Sequence, residues 1–328
     1  MRRREFLLMG LAAAVLPDPS LRASAQEQYP SRPIRLVIPS VPAGVHDVIG
    51  RLWAERVKPV LGTIVIDNRG GGGGVIGAND VAHAHPDGYS ILLGSTSTQV
   101  LSPAAMAQPP YDPVKSFAGV SVFSFSSTSI VINPTLPVHS LRELIAYAKA
   151  NPGKLSYGSA GNGSITNMAG ELFKRLAGGL DIVHIPYKGI GQGVSDLISG
   201  VIPMFSANAT AQILDLARAG KVRILSVNSA ERIKAAPEIP TSTEAGLPGM
   251  VAQTTFAIFA PAGTPGAIVE RLDAATQKVM ADEDFQKQLL NLGFEPVRGV
   301  GGEKATGVFK DELVRWMPIL KAGAVNPE

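Results

Sequence analysis

Cysteine is absent from all 328 residues of the chain. The protein therefore forms no disulfides, has no thiol nucleophile, and carries no cysteine for lipid attachment. The chain also lacks an uninterrupted run of the roughly twenty apolar residues that cross a bilayer. Its first apolar segment ends at Leu16, before Pro17 and Asp18. We therefore expect no membrane anchor.

The first 25 residues have the pattern of an export signal. Three arginines, Arg2 to Arg4, precede the apolar segment, and Ala23-Ser24-Ala25 has the small residues of a cleavage site. Paired arginines followed by Phe6 and Leu7 resemble a twin-arginine signal, and a Sec signal with three arginines is the alternative. We expect removal of residues 1–25 and a soluble protein in the periplasm.

An excess of charge of one sign is missing as well. The chain has 30 basic and 27 acidic residues, and residues 1–25 account for four and two of them, so 26 face 25 in the remainder. This near balance provides no whole-protein field for nucleic acid. The five histidines do not have the spacing of metal ligands. The sequence therefore predicts no nucleic-acid partner, no metal and no cofactor.

Short apolar runs alternate with helical periodicity, which predicts an α/β fold. About 300 residues after the signal exceed the usual size of one core, so we expect two domains. Residues 34–38 form an apolar run typical of a buried strand. After a loop with Pro39, Pro42 and Gly44, apolar residues recur at helical spacing from Val45.

The candidate ligand site lies in loops that follow predicted strands. In an α/β sheet the loop at residues 39–44 is at the carboxyl end of its strand, where ligands bind, and the helix start offers free N–H groups to an anion. Residues 94–98, GSTST, follow the third strand with hydroxyls that suit a carboxylate. Residues 158–164, GSAGNGS, repeat this design before a helix over 165–176.

A glycine-rich stretch suggests an alternative, a nucleotide site. Gly72, Gly74 and Gly77 satisfy GxGxxG after a strand. However, this fingerprint belongs in the first βα unit, and an acidic residue should end the next strand. Here Asp80 falls within the predicted helix and Asp87 in a turn. We therefore favour a flexible turn.

Ten short motifs, in order and at ordinary spacing, extend over nearly the whole mature chain. They are Pro42-Ala43-Gly44 with Asp47, Asp67-Asn68-Arg69, Gly73-Gly74 with Ile76-Gly77-Ala78, Pro86-Asp87-Gly88-Tyr89, Gly94-Ser95-Thr96, Tyr111-Asp112-Pro113, Ser159-Ala160-Gly161-Asn162-Gly163, Pro186-Tyr187-Lys188-Gly189, Glu244-Ala245-Gly246-Leu247-Pro248 and Ala260-Pro261-Ala262-Gly263-Thr264-Pro265. In these motifs the chain resembles the Bug-type solute receptors, the periplasmic binding proteins of tripartite tricarboxylate transporters.

The resemblance implies a type II periplasmic-binding-protein fold, in which two α/β lobes joined by two crossing strands close on a small ligand. We expect residues 26–125 and 255–328 to form lobe 1 and residues 126–254 to form lobe 2. The implied function is capture of a di- or tricarboxylate or an aromatic carboxylate, without catalysis. The implied partners are membrane components of a tripartite tricarboxylate transporter or a sensor, and we expect a monomer.

The resemblance also implies which residues contact the ligand. By position they are Pro42, Ala43, Gly44, Val45, His46, Asp47, Ser95, Thr96, Thr98, Ser159, Ala160, Gly161, Asn162, Ser164, Lys188, Ser206 and Asn208. Within this set, Asp47 is expected to brace its loop rather than meet an anion.

Two departures from the family pattern bear on the ligand. The usual PPGGxxD loop reads VPAGVHD, which places Ala43 at a glycine position and His46 at a small polar one, where a protonated imidazole would favour an anion. Ser206 and Ala207 stand where an Asp-Asn pair is common. Without that carboxylate an amino-acid ligand is disfavoured.

The rival interpretation is an exported hydrolase that uses a cleft serine. A serine nucleophile needs a base beside it, and His46 is the only histidine in a proposed cleft loop. No recognisable triad accompanies the serine-rich loops, which favours binding over catalysis.

Overall fold

The computed structural model describes residues 29–321, so the expected export signal at residues 1–25 lies outside the described residues. The strands are β1 (Ile34–Ile38), β2 (Ile64–Asn68), β3 (Ser90–Ser95), β4 (Phe117–Ile132), β5 (Leu155–Ser159), β6 (Ile182–Pro186), β7 (Met204–Asn208), β8 (Arg223–Val227), β9 (Gln253–Pro261) and β10 (Glu295–Gly301). The α-helices are α1 (Val45–Leu61), α2 (Val75–Ala82), α3 (Ser102–Ala104), α4 (Leu141–Ala150), α5 (Ile165–Leu176), α6 (Ile190–Ser199), α7 (Ala211–Arg218), α8 (Gly266–Met280), α9 (Glu283–Asn291) and α10 (Gly302–Ile319). The predicted α/β class is confirmed.

The strands pair in the order β2-β1-β3-β9-β4-β7-β5-β6, with β8 and β10 also paired to β4. We call β1, β2, β3, β9 and β10 the first sheet and β5 to β8 the second sheet. Pairing is parallel from β1 to β2 and β3, and from β5 to β6 and β7. The long strand β4 connects the two sheets, because its residues 117–127 pair with β9 and its residues 128–132 with β7.

Strand β1 is buried on both faces, which accounts for its continuous apolar sequence. On one face, Leu36 belongs to the same core cluster as Trp53 of α1. On the other face, Val37 joins Val75 and Ala78 of α2. Each fully buried aliphatic side chain contributes about 1.5–3 kcal/mol. This packing fixes β1, and with it the loop that leads to α1.

Two segments differ from the sequence-based expectations. The stretch over 94–98 was expected to be a loop, but β3 continues through Ser95 and a π-helical turn follows at Ser97–Leu101. Strand β10 was not predicted. Its pairing with β4 shifts register between Pro296 and Val300, and its sequence has neither an apolar run nor a clean alternation.

Among residues 29–321, no helix combines the length and the hydropathy required to cross a bilayer.

Candidate functional site

The start of α1 presents backbone donors without protein partners. Its N-cap is Gly44, and no side chain caps the helix. Among residues 29–321, no acceptor binds the N–H groups of Val45, His46 or Asp47. The N-terminus of a helix is also the positive end of its dipole. This helix start therefore suits an anion.

The Asp47 carboxylate is hydrogen-bonded by groups in and around its own loop. It accepts hydrogen bonds from the Ala43 N–H at 2.8 Å, from Arg51 Nε at 2.9 Å and from Asn68 Nδ2 at 2.9 Å. Burial acts to raise the pKa of Asp47, but these bonds outweigh it and hold that pKa below its usual value. Asp47 therefore braces the loop and stays ionised.

Ala43 adopts a left-handed backbone conformation with a φ of 61°. This region favours glycine because a Cβ crowds the backbone there. The loop geometry thus suits glycine, the residue that the PPGGxxD pattern of the resemblance has at this position. In this chain the conformation is kept with alanine, and the Asp47 carboxylate holds the Ala43 N–H in place.

His46 and Ser95 form a pair at the ends of α1 and β3. His46 Nε2 lies 2.8 Å from Ser95 Oγ, and Ser95 is fully buried. The His46 ring meets Phe256 edge to face at 5.2 Å. Burial lowers the pKa of His46 to about 4. The imidazole is therefore neutral at pH 7 and acts through a hydrogen bond, not through the positive charge considered from the sequence.

The two threonines after Ser95 are bound within the fold. Thr96 Oγ1 accepts the Thr255 N–H at 3.0 Å, which ties the end of β3 to β9. Thr98 Oγ1 accepts the Ser95 N–H at 2.9 Å, and Tyr111 Oη donates to the Thr98 carbonyl at 2.6 Å. These contacts fix the π-helical turn behind Ser95.

The loop between β5 and α5 is held by local hydrogen bonds. Ser164 caps α5, since its Oγ accepts the Asn167 N–H at 3.2 Å and donates to the Gly161 carbonyl at 2.7 Å. The Ala160 N–H donates to Thr166 Oγ1 at 2.9 Å. Asn162 is exposed at the tip of the loop. Unlike α1, helix α5 therefore has an internal cap.

A second serine–histidine pair lies in the second sheet. Ser159 Oγ is 2.7 Å from His184 Nε2, and the His184 ring stacks on Tyr157 with centroids 4.9 Å apart. Burial lowers the pKa of His184 to about 4. Sequence reasoning missed His184, which stands between apolar residues of β6. The available signal was the parallel pairing of β5 and β6, which places His184 opposite Tyr157.

The three remaining candidates differ in exposure. Lys188 is exposed on the loop after β6. Asn208 is buried and donates from Nδ2 to Thr254 Oγ1 at 2.8 Å, so it fastens β7 to β9. Ser206 is 2% exposed, and its Oγ has no hydrogen-bond partner within residues 29–321. Ser206 is thus the one of these three whose polar atom is both enclosed and unused.

The loops of the two sheets touch each other through two serines, Ser97 of the candidate stretch at residues 94–98 and Ser102, which was not a sequence candidate. Ser97 Oγ accepts the N–H of Ile165, the first residue of α5, at 3.1 Å. Ser102 Oγ donates to the Gly73 carbonyl at 3.0 Å and approaches the Gly163 carbonyl at 3.5 Å. The structure is therefore closed across the two candidate loops.

The glycine-rich stretch packs against the end of β1. A Cβ on Gly77 would lie 2.8 Å from the Arg69 carbonyl, and one on Gly74 would lie 2.4 Å from Thr98 Cγ2. Asp80 is ion-paired with Arg35 and Arg69. Close packing accounts for these glycines without a nucleotide. Within residues 29–321, no group of three or more histidine or acidic side chains has a metal-binding arrangement.

Comparison with known proteins gives a family match and close structural neighbours. The model of the tripartite tricarboxylate transporter family receptor matches residues 49–325. BugT of Bordetella pertussis is 34% identical and aligns over 95% of this chain and 93% of its own. MatC of Rhodopseudomonas palustris with bound malate is 28% identical with a TM-score of 0.81, covering 89% of this chain and 100% of its own. Rpa4515 of R. palustris with adipate is 32% identical with a TM-score of 0.85, covering 92% and 100%.

Proposed function

Because the chain belongs to the tripartite tricarboxylate transporter receptor family, we propose that it captures a small dicarboxylate between the β1–α1 loop and the β5–α5 loop. It is a solute-binding protein with the type II periplasmic-binding-protein fold, and its ligand class is the carboxylates. The observation that carries the finer proposal is the free helix start at Val45 to Asp47. Its N–H groups have no acceptor within residues 29–321, and the His46 side chain on it contacts the Ser95 hydroxyl.

The arrangement provides donors for both ends of a dicarboxylate. One carboxylate binds the N–H groups at the start of α1 and Ser95, and the other binds Ser159 and the tip of its loop. MatC and Rpa4515 contain malate and adipate, both dicarboxylates. Ser206 in β7 offers a hydroxyl where a carboxylate would be needed to bind an amine. An amino acid is therefore a poor fit.

In the proposed function the protein binds its ligand by closing two lobes around it. We place their boundaries at residues 26–125 with 255–328 and at residues 126–254. The change of partners along β4 after residue 127 supports these boundaries. Closure buries a small ligand and changes the surface around the cleft, which the membrane components of the transporter or a sensor then distinguish. We propose a monomer in the periplasm as the active form.

Binding explains the site better than hydrolysis does. Both serine–histidine pairs have a hydroxyl within reach of an imidazole, as a nucleophile requires. However, a histidine whose pKa is about 4 is a weak base at pH 7. Among residues 29–321, no carboxylate is hydrogen-bonded to either imidazole to orient it. Esterase activity lost in His46→Ala would contradict the receptor proposal.

The test is a binding screen of the mature protein, residues 26–328. Thermal shifts are measured with malate, succinate, adipate, citrate and benzoate, and with amino acids, NAD and ATP as controls; calorimetry then gives the affinity. Selective binding raises the melting temperature by mass action. We expect the largest shift with a dicarboxylate. A shift with NAD or ATP alone would overturn the proposal, and a shift with benzoate alone would overturn the dicarboxylate assignment.

A further inference from the structure

The amide of Asn167 has a fixed orientation. Its Oδ1 accepts the Gly163 N–H at 3.2 Å. A backbone N–H only donates, so the amide oxygen, and not the nitrogen, must face Gly163. The amide nitrogen therefore points the other way, 3.0 Å from Tyr157 Oη and 3.4 Å from His184 Nδ1. Its two protons are donated to Tyr157 Oη and to His184 Nδ1.

This orientation sets the tautomer of His184. The amide nitrogen of Asn167 only donates hydrogen bonds, so His184 Nδ1 must accept one. Burial keeps the pKa of His184 at about 4, and the ring is neutral at pH 7. In a neutral imidazole whose Nδ1 accepts, the proton is on Nε2. The contact of 2.7 Å between His184 Nε2 and Ser159 Oγ is therefore donated by the histidine.

The tautomer in turn directs the hydroxyl of Ser159. Ser159 Oγ accepts from His184 Nε2 and from the Gly161 N–H at 3.1 Å. These two bonds use both lone pairs of the hydroxyl oxygen. Only its proton remains, and its one acceptor among residues 29–321 is the Gly161 carbonyl at 3.3 Å, a long distance for an O–H donor. The Ser159 hydroxyl is thus able to donate a hydrogen bond and unable to accept a further one.

We propose that His184 is a positioning residue that makes the Ser159 hydroxyl a dedicated hydrogen-bond donor to a carboxylate oxygen of the bound ligand. The inference rests on the proposed function for its ligand. An ionised carboxylate has acceptors only, so it matches a hydroxyl that has only its proton to offer. Asn167 acts one step further back, by holding His184 in the tautomer that this arrangement needs.

The first experiment measures the tautomer without any ligand. Long-range proton–nitrogen NMR spectra of ¹⁵N-histidine-labelled protein distinguish the two neutral tautomers, and the signal lost in His184→Gln assigns the residue. We expect His184 to be neutral at pH 7 with its proton on Nε2. A proton on Nδ1, or a charged ring at pH 7, would overturn the proposal even if the protein binds carboxylates as expected.

The second experiment separates positioning from packing, since His184 also stacks on Tyr157. His184→Phe keeps an aromatic ring and removes the donor, whereas His184→Gln keeps an N–H donor and removes the ring. Calorimetry with malate, or with adipate if it binds more tightly, measures the affinity. We expect His184→Phe to bind about tenfold more weakly, and His184→Gln to stay within about threefold of the wild type. A weaker His184→Gln with an unchanged His184→Phe would show packing and overturn the proposal.

A double-mutant cycle checks that His184 acts through Ser159. In a Ser159→Ala background His184→Phe should cause no further loss of affinity, because there is no hydroxyl left to direct. An equal loss in both backgrounds would overturn the proposal. If the wild type binds no carboxylate in the screen, the proposed function fails, and the tautomer measurement still tests the orientation of Ser159 by itself.

Discussion

The two serine–histidine pairs have the same chemistry and different surroundings. Ser159 and His184 are supported by a chain of oriented groups, with Asn167 beside the second imidazole nitrogen. Ser95 and His46 have an aromatic edge, Phe256, against the ring. Within residues 29–321, no group accepts from or donates to the second nitrogen of His46. The hydroxyl of Ser159 therefore has a set direction, whereas that of Ser95 is able to donate or accept.

This difference suggests that the two sheets have different roles in ligand binding. On the proposal that both hydroxyls contact the ligand, the second sheet presents a fixed donor that selects for a carboxylate. The first sheet combines a free helix start with an adaptable hydroxyl, which tolerates variation in the rest of the ligand. Fixed and adaptable contacts on opposite sides of a cleft allow one receptor to require a carboxylate and still accept related acids.

The largest effect should come from removing the fixed donor. A hydrogen bond to a charged group contributes about 1.5–3 kcal/mol, so Ser159→Ala should weaken binding of the preferred dicarboxylate by roughly tenfold to a hundredfold. Ser95→Ala should reduce the affinity less, because a water molecule or a ligand hydroxyl can take the position of the Ser95 hydroxyl. Calorimetry of both variants decides this. A greater loss in Ser95→Ala would contradict the assignment of Ser159 as the fixed partner.

The two pairs should respond alike to acid. The pKa of each histidine is about 4 in the folded protein against 6.5 ordinarily, so between these values the unfolded chain binds protons that the folded protein does not. The free energy of unfolding should therefore decrease as pH falls from about 6.5 to 4.

Urea unfolding at pH 7, 5.5 and 4.5 measures this decrease. His46→Gln and His184→Gln should each remove a similar share of it, and the double variant should remove both. An unchanged pH dependence in the double variant would show that other groups cause the acid sensitivity.

A smaller effect is expected where the two loops meet. Ser97→Ala leaves the Ile165 N–H without its acceptor in the closed state, at a cost of about 1 kcal/mol. Binding should weaken roughly fivefold, and small-angle scattering without ligand should show a larger radius of gyration. Ser195→Ala, at an exposed position of α6, is the matched control. An unchanged radius and affinity in Ser97→Ala would show that this contact does not favour closure.

The smallest effect concerns the backbone of the first loop. Ala43→Gly relieves the left-handed conformation of Ala43, which costs roughly 1–2 kcal/mol in an L-residue. The greater freedom of glycine in the unfolded chain offsets part of this gain. We expect the free energy of unfolding to rise by about 1 kcal/mol or less, as measured in urea. A loss of stability would show that the loop is relaxed with alanine.

The sequence predicted the elements that have strong periodicity or clear ends. Buried runs such as residues 34–38 and the helix over 165–176 were recognised, and the ordered motifs indicated the family, which is confirmed. Strand β10 escaped because its bulge and its exposed residues remove the alternation on which such predictions depend. The domain boundaries and the ligand contacts stay predictions.

The parts of the site that the sequence could not show depend on contacts between distant segments. His184 has apolar neighbours in β6 and gave no sign of its role until strand pairing placed it opposite Tyr157, where its ring reaches Ser159. The contacts of Ser97 with Ile165 and of Ser102 with Gly163 cross to the loop of the other sheet, so the sequence around either serine does not reveal them. The charge state of His46 depended on burial, which its neighbours in the sequence do not reveal.

The pairing of β3 and β4 with β9 also determines when each part of the chain is able to fold. The four strands of the second sheet and the end of β4 with which they pair all lie within residues 128–227. The first sheet, in contrast, joins Leu92 to Phe259 and cannot be completed until β9 has been synthesised. Contacts between segments so far apart in sequence form slowly. During synthesis, the second sheet is therefore the first that is able to form. Strands β1, β2 and β3 keep an unpaired edge until the last third of the chain has been synthesised.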